Sequence, residues 1–292
     1  MQSMVNEIRR LQHLDFVPPL IVWFTEQVPP PMYSPRYLSM IAKLRFRLEY
    51  SLRQLGDKSP RLTKYIISSD LFTRMGRLRA LGEMLTLHKQ GLLHQIFVFT
   101  DTNNRFFQSY KLPSHIVPMG YHPQFGELRH QTRDIDVLFL GSTRDRRRKK
   151  ILLNLEQVLL AKGIRFVIKD GSPERGYAFG SERTSLLNRS KIMLNIMRQP
   201  WDDPVFRLIL AAPNGAMCLS ETLLPTSMGL FQENEHFVMA SLSQMVRAIE
   251  YYLTHDSLRN QIAMKAHELV TTKLTMTNMA KQIIQIATDS PI

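Results

Sequence analysis

The chain has a single cysteine, Cys218, among 292 residues. One thiol excludes an intrachain disulfide and a cysteine-based zinc site. Set in an apolar run, it reads as a buried structural thiol rather than a nucleophile. Long apolar runs are also missing. The most compact, Leu20–Phe24 and Ile96–Phe99, are strand-sized, well short of the roughly 18 residues that a membrane span needs. The first ten residues carry no apolar signal core, so a cytoplasmic location is expected. Neither a Gly-x-Gly-x-x-Gly nor a Walker motif occurs, which removes support from dehydrogenase and kinase readings. Repeats and low-complexity blocks are missing too.

Acidic residues are few. Asp and Glu number 25 against 38 Lys and Arg, a net charge of +13. An anionic partner follows: nucleic acid, an anionic lipid surface or a phosphorylated small molecule. Charge alone does not choose among them.

The second half alternates strands and helices. Val137–Leu140 is a short continuous apolar run, the mark of a strand buried on both faces. Between Arg144 and Lys162, the residues Ile151, Leu152, Leu155, Val158 and Leu159 fall at helical spacing, and Gly163 follows as a stop. Ile164–Ile168 is the next strand, and the three elements form a parallel, right-handed βαβ unit. The pattern predicts a helix over Ser181–Arg189 and a strand over Ile192–Met197. A further helix follows, capped by Asp203 with Pro204 at its first position, and then a strand over Ala216–Leu219. Helices are expected over Ser243–His255, Asp256–Thr271 and Thr275–Ile286. The first half is less regular. Helices are expected over Met1–Leu11, Leu38–Leu55 (basic) and Leu71–Gln90, and strands over Leu20–Thr25, Tyr65–Ser68 and Gln95–Thr100. The aperiodic, Pro- and Gly-rich stretch 118–134 reads as the boundary between the halves. The fold class is therefore α/β with open parallel sheets.

In such sheets ligands bind beyond the carboxyl ends of the strands. The residues found there are Gly141, Ser142 and Thr143, then Lys169, Asp170 and Gly171, then Asn195 and Arg198, and finally Ser220 and Glu221. The run Arg144–Lys150 puts six cations at a helix N-terminus, where the dipole is already positive. A bound diphosphate accounts for them, since free N–H groups, dipole and Arg forks all favour an anion. A solvated basic face is the competing explanation. Glu221 is a candidate for a ribose diol, or only a loop carboxylate. His122 and His236 read first as structural or surface histidines. Glu26 follows a strand of the first half and faces a cleft or caps a turn.

Several spaced motifs resemble the C-terminal domain of GT-B glycosyltransferases, nearest to the CgeB-like spore-coat maturation group. They are Asp134–Ser142 with the arginines after it, Leu186–Asn195, Arg207–Gly215 and Ser220-Glu221, over about residues 115–285. The resemblance implies two Rossmann-like domains across a cleft, the N-terminal one short. Residues 1–125 would be the acceptor-side domain, with Glu26 and His122 as its candidates. Residues 133–274 would hold the nucleotide-sugar, and the helix over 275–292 would return to the first domain. It implies a nucleotide-diphosphate sugar donor, an unidentified acceptor (glycan, lipid or protein), and neither metal nor cofactor. Carried over by position, Gly141 and Ser142 line the diphosphate, Arg147 and Arg207 pair with it, Lys169 and Asn195 share the pocket, and Glu221 meets the nucleoside. Many retaining relatives place a glutamate where this chain has Leu210, which cannot bind a ribose.

Two other readings remain. One is a catalytically inactive GT-B relative that binds nucleotide or serves as a partner subunit. The other is a protein for nucleic acid or a peripheral anionic membrane, using the helix around Lys43, Arg45, Arg47 and Arg53 and the 144–150 run. No aromatic-rich recognition motif accompanies those cations, which disfavours nucleic acid.

Overall fold

The computed structural model describes residues 20–25, 28, 29, 34–56, 76–199, 202, 204–222 and 229–289. The expected helix over Met1–Leu11, the strand over Tyr65–Ser68, the start of the Leu71–Gln90 helix, Glu26 and the Asp203 cap lie outside them. The chain divides into two compact units: residues 1–98, 102–116 and 286–292, and residues 99–101 and 117–285.

The first unit holds a three-stranded parallel sheet in the order β1-β2-β3, with β1 Leu20–Trp23, β2 Leu93–Val98 and β3 Ser114–Ile116. The short β3, which carries only one aliphatic side chain, gives no periodic signal in the sequence. Helices α1 (Pro35–Gly56) and α2 (Gly76–Lys89) pack on each other. Their close approach requires Gly82, where a Cβ would lie 2.2 Å from the Ala42 carbonyl oxygen. Helix α3 (Asp101–Gln108) follows β2.

The second unit is built on β4 Ile135–Leu140, β5 Phe166–Lys169, β6 Ser190–Asn195, β7 Met217–Glu221 and β8 Val238–Ala240. All neighbours are parallel, in the order β5-β4-β6-β7-β8. Strand β8, three residues long, was not expected from the sequence. Helices α4 (Arg146–Ala161), α5 (Gly180–Arg189) and α6 (Val205–Ala211) connect the strands, and α7 (Met245–Thr254), α8 (Asp256–Glu268) and α9 (Met276–Asp289) follow β8. Helix α6 begins after Pro204, which itself occupies the cap position without a side-chain bond, rather than at Pro204 as expected.

Both faces of this sheet are covered, which is why its strands read as unbroken apolar runs. Val137, Phe139, Ile192, Leu194, Met217 and Leu219 pack against Leu152, Leu155 and Leu159 of α4 and against α7. Leu138, Met193 and Cys218 pack on the opposite face against Leu187, Leu208, Leu210 and Val270. Burial drives the Cys218 thiol up to about 12, so it is the inert structural thiol expected.

Within the second unit the stretch 117–134 packs Met119, Tyr121 and Phe125 against the core and is also held by polar bonds. Asn188 accepts from Arg129 N (2.5 Å) and donates to Glu127 O (2.9 Å) and Asn214 Oδ1 (3.0 Å). Asn214 in turn donates to Phe125 O (3.1 Å). Arg133 donates to the carbonyls of Leu187, Ser190 and Asn214. Both asparagines are fully buried, and these bonds satisfy backbone groups that no strand or helix takes up.

Candidate functional site

From β4 the chain steps outward to β5, then crosses back to β6 and continues to β7 and β8. The loops after β4 and β6 therefore diverge, and the carboxyl edge between those strands is the topological switch point where a crevice forms.

Arg207 of α6 sits at this point. Its Nε donates to Leu140 O at the end of β4 (3.1 Å), and Nη1 donates to Asn195 Oδ1 at the end of β6 (3.1 Å). Its Nη2 has no acceptor among the described residues. That nitrogen lies against Gly141: a Cβ there would be 2.6 Å from it, and Gly141 takes φ +140°. Glycine meets both demands, the backbone conformation and the close approach. Asn195 is fully buried and is held by bonds from its Nδ2 to Pro204 O (3.2 Å) and Ser220 Oγ (3.3 Å).

Two arginines from the first turns of α4 point to the same edge. Arg147 makes a two-point pair with Glu221 at the end of β7, Nη1–Oε1 3.1 Å and Nη2–Oε2 2.5 Å, and also donates to Met197 O (2.9 Å). Glu221 is buried, and its Oε1 also accepts from Met197 N at 2.5 Å. Its carboxylate, expected at a ribose, is thus turned toward protein donors. Arg148 was not singled out by the sequence. It is buried, donates to Ser142 O (3.1 Å) and lies 3.8 Å from Asp202. The guanidinium carbons of Arg148 and Arg207 stand 5.6 and 5.0 Å from the centre of the Phe139 ring. Within the basic run only helical phase separates Arg147 and Arg148 from exposed Arg146, Lys149 and Lys150.

The electrostatics favour an anion. Burial pulls Arg207 down to about 10 and, with Arg207 as like charge, Arg148 down to about 9. Guanidinium keeps its proton at neutral pH. The shifts therefore express the cost of holding positive charges out of water. Asp202 offsets part of that cost. Burial works to raise its carboxyl, but hydrogen bonds and charge from Arg198, with Arg148, hold it below the ordinary range.

The N-terminus of α4 is already partly used. Asp145 caps it by accepting from Arg148 N (3.1 Å), and its other oxygen accepts from Gln199 Nε2 (3.1 Å). Of the remaining candidates Ser142 stays at this edge, its carbonyl accepting from Arg148, and the others are engaged by other partners. Ser142 Oγ accepts from Arg144 N (3.2 Å), and Lys169 at the end of β5 pairs with Glu182 (3.2 Å). His122 caps the short turn Pro123–Phe125 by accepting from Gln124 N (3.2 Å). Leu210 is buried in the apolar cluster on the α5–α6 face of the sheet. A cavity of about 320 Å³ lies along α4, lined in part by Thr143, Lys149, Asp170 and Arg175. In its lining Thr143 Oγ1 donates to Asp170 (2.8 Å) and Arg175 lies 3.6 Å from Asp170, while Arg175 also pairs with Glu156 outside the lining (2.7 Å). Among the described residues, no group of three or more His, Cys, Asp or Glu is placed to hold a metal ion.

A family pattern described as glycosyl transferase-like matches residues 139–285, half of the chain. This chain belongs to that glycosyl transferase-like family. Its fold is shared with solved GT-B glycosyltransferases. Anabaena Alr3699/HepE, crystallised with UDP and glucose, matches with TM-score 0.57 and 10% identity over 93% of this chain and 72% of that one. TarM matches with TM-score 0.54 and 11% identity over 72% of this chain and 46% of that one. A variant of S. aureus TarM in complex with Fondaparinux, alpha-GlcNAc-glycerol and UDP gives 0.56 and 10%, over 70% and 45%. The chain thus spans about half the length of the TarM structures. No curated protein matches it in sequence.

Proposed function

We propose that this family member transfers a sugar from a nucleotide-diphosphate donor, UDP-linked by analogy with the neighbours crystallised with UDP, to an acceptor not yet identified. The reading rests on one observation: Arg207 bridges the ends of β4 and β6 at the switch point and, among the described residues, leaves Nη2 without a protein acceptor beside Gly141. A diphosphate oxygen would complete that guanidinium, and Gly141 would let the backbone approach it. Arg147 reaches the same edge, with Glu221 as the residue that positions it. Charge developing on the departing diphosphate would be met by fixed cations without a metal.

The test is calorimetric titration of the full chain with UDP, GDP and uridine. Saturable binding of a nucleoside diphosphate, weakened at least tenfold by Arg207→Ala, is the expected result. If neither diphosphate binds at millimolar concentration, the proposal is refuted.

Two observations favour a second reading, a nucleotide-binding relative without turnover. Leu210 is sealed in the core, and Glu221 is committed to Arg147 and Met197. Binding of UDP-glucose with no release of UDP, alone or with added acceptors, would select it.

A further inference from the structure

Arg148 is a buried cation that the protein around it bonds sparsely. Its side chain is 3% exposed. Nη1 donates to Ser142 O (3.1 Å), while the buried Nε has no partner among the described residues. Asp202, its ion-pair partner, stands 3.8 Å away and gives its closer contacts to Arg198, at 2.7 and 2.9 Å. A second cation is near. The guanidinium carbons of Arg148 and Arg207 lie 5.6 and 5.0 Å from the centre of the same Phe139 ring. The charges that act on Arg148 are Asp202 and the capping Asp145 in its favour, and Arg207 and Arg198 against it. Holding one carbonyl needs one neutral N–H donor. It does not account for a desolvated positive charge beside another.

We infer that Arg148 is a positioning residue of the anion site, a buried cation whose desolvation is offset when a diphosphate enters beside Arg207. The inference rests on the donor reading proposed above. A diphosphate at Arg207 Nη2 lies in the field of both guanidiniums, and away from water that attraction is strong. Arg148 acts without touching the ligand, through its field at Arg207 and through the Gly141–Ser142 turn, whose carbonyl it pins at Ser142. Two consequences of opposite sign follow. Removing the charge weakens diphosphate binding. It also relieves the unliganded chain of an under-bonded buried cation, and Asp202 keeps Arg198 as its partner, so the fold is not weakened. A purely structural tether would lose stability instead.

The experiment compares the full chain with Arg148→Met and Arg148→Gln. Calorimetry gives the affinities for UDP, inorganic pyrophosphate and uridine, and urea unfolding without ligand gives the midpoint. Methionine removes the charge and keeps an unbranched chain. Glutamine also removes it but retains a donor for Ser142 O, and it decides the matter if the methionine variant does not fold. Each neutral variant is expected to bind UDP and pyrophosphate about tenfold or more weakly, and uridine within about twofold of the parent. Its urea midpoint is expected at or above that of the parent. A lower midpoint in both variants, or equal losses for UDP and uridine, would make Arg148 a structural tether and overturn the inference. Neutral variants that bind UDP as tightly as a UDP-binding parent refute this inference alone. A parent that binds no nucleoside diphosphate refutes the donor reading, and this inference with it.

Discussion

Arg147 and Glu221 join the start of α4 to the end of β7 by a two-point ion pair, 74 residues apart in sequence, and Met197 N shares the carboxylate. Glu221 is nearly out of solvent, while Arg147 keeps about a third of its side chain exposed. The pair is thus well formed but partly screened. Glu221→Ala removes the acceptor of a buried N–H as well as the charge partner. A loss of about 2–3 kcal/mol is expected, read as a lower urea midpoint with an unchanged slope. In a double-mutant cycle with Arg147→Ala, the combined loss should fall short of the sum by about 1 kcal/mol. Strict additivity would mean that the pair does not hold α4 to β7.

Arg207 separates a charge effect from a geometric one. Its fork makes two bonds to the protein and offers a third nitrogen. Lysine keeps the charge but cannot bridge Leu140 O and Asn195 Oδ1 in the same plane. Arg207→Lys is expected to weaken UDP binding by about 10- to 100-fold while leaving uridine binding within about twofold. Equal losses for both ligands would point to general damage to the unit. No loss for UDP would remove Arg207 from the site.

What the sequence showed and what it hid follow one rule. Leu152, Leu155 and Leu159 are buried at helical spacing, and they are among the residues that predict α4. Val137–Leu140 is buried on both faces and reads as a strand without alternation. Where burial repeats, the element is legible. Strands β3 and β8 have three residues each and offer no period. The residues around the switch point were legible by position, because chain order places Gly141, Asn195 and Glu221 at strand ends. Their partners were not. Nothing in the spacing of Arg147 and Glu221 announces a mutual pair, and the inward turn of Arg148 depends on where the Asp145 cap starts the helix. Asn188 and Asn214 illustrate the same limit. Their value lies in backbone groups of a distant segment, Phe125–Arg129, that no local pattern links to them.

Leu210, which the sequence resemblance sets at the position of a glutamate in many retaining relatives, is 6% exposed in an apolar cluster. Restoring the acid should therefore not restore a ribose contact. Leu210→Glu buries a carboxyl without a polar partner, and a loss of roughly 3 kcal/mol or more is expected by chemical denaturation. Wild-type stability combined with tighter UDP binding would show that the α6 backbone can turn this position to the crevice.

Acid should unfold the second unit partly through Asp202. The carboxyl is buried and held below its ordinary range, burial opposing and the Arg198 bonds and Arg148 charge prevailing. A depressed folded-state value means that the contribution is fully present above the unfolded value of about 4 and is lost as pH falls below it. Asp202→Asn is expected to be less stable than the parent at pH 7 and to converge with it at low pH. Parallel stability curves from pH 7 into the acid range would refute the assignment.

Gly141 carries two constraints at once, and substitution tests them together. Its φ of +140° is hostile to any side chain, and a Cβ would stand 2.6 Å from Arg207 Nη2. The backbone demand alone costs on the order of 1–3 kcal/mol. The clash falls on the far end of a flexible side chain, so Arg207 is expected to yield before the strand does. Gly141→Ala should then be folded, destabilised by about that amount, and impaired in UDP binding to nearly the extent of Arg207→Ala. Combining the two substitutions should weaken binding little beyond either one, because both displace the same guanidinium. If the two effects on affinity instead add in full, Gly141 acts on the ligand independently of Arg207, and the switch-point arrangement loses its link between backbone and guanidinium.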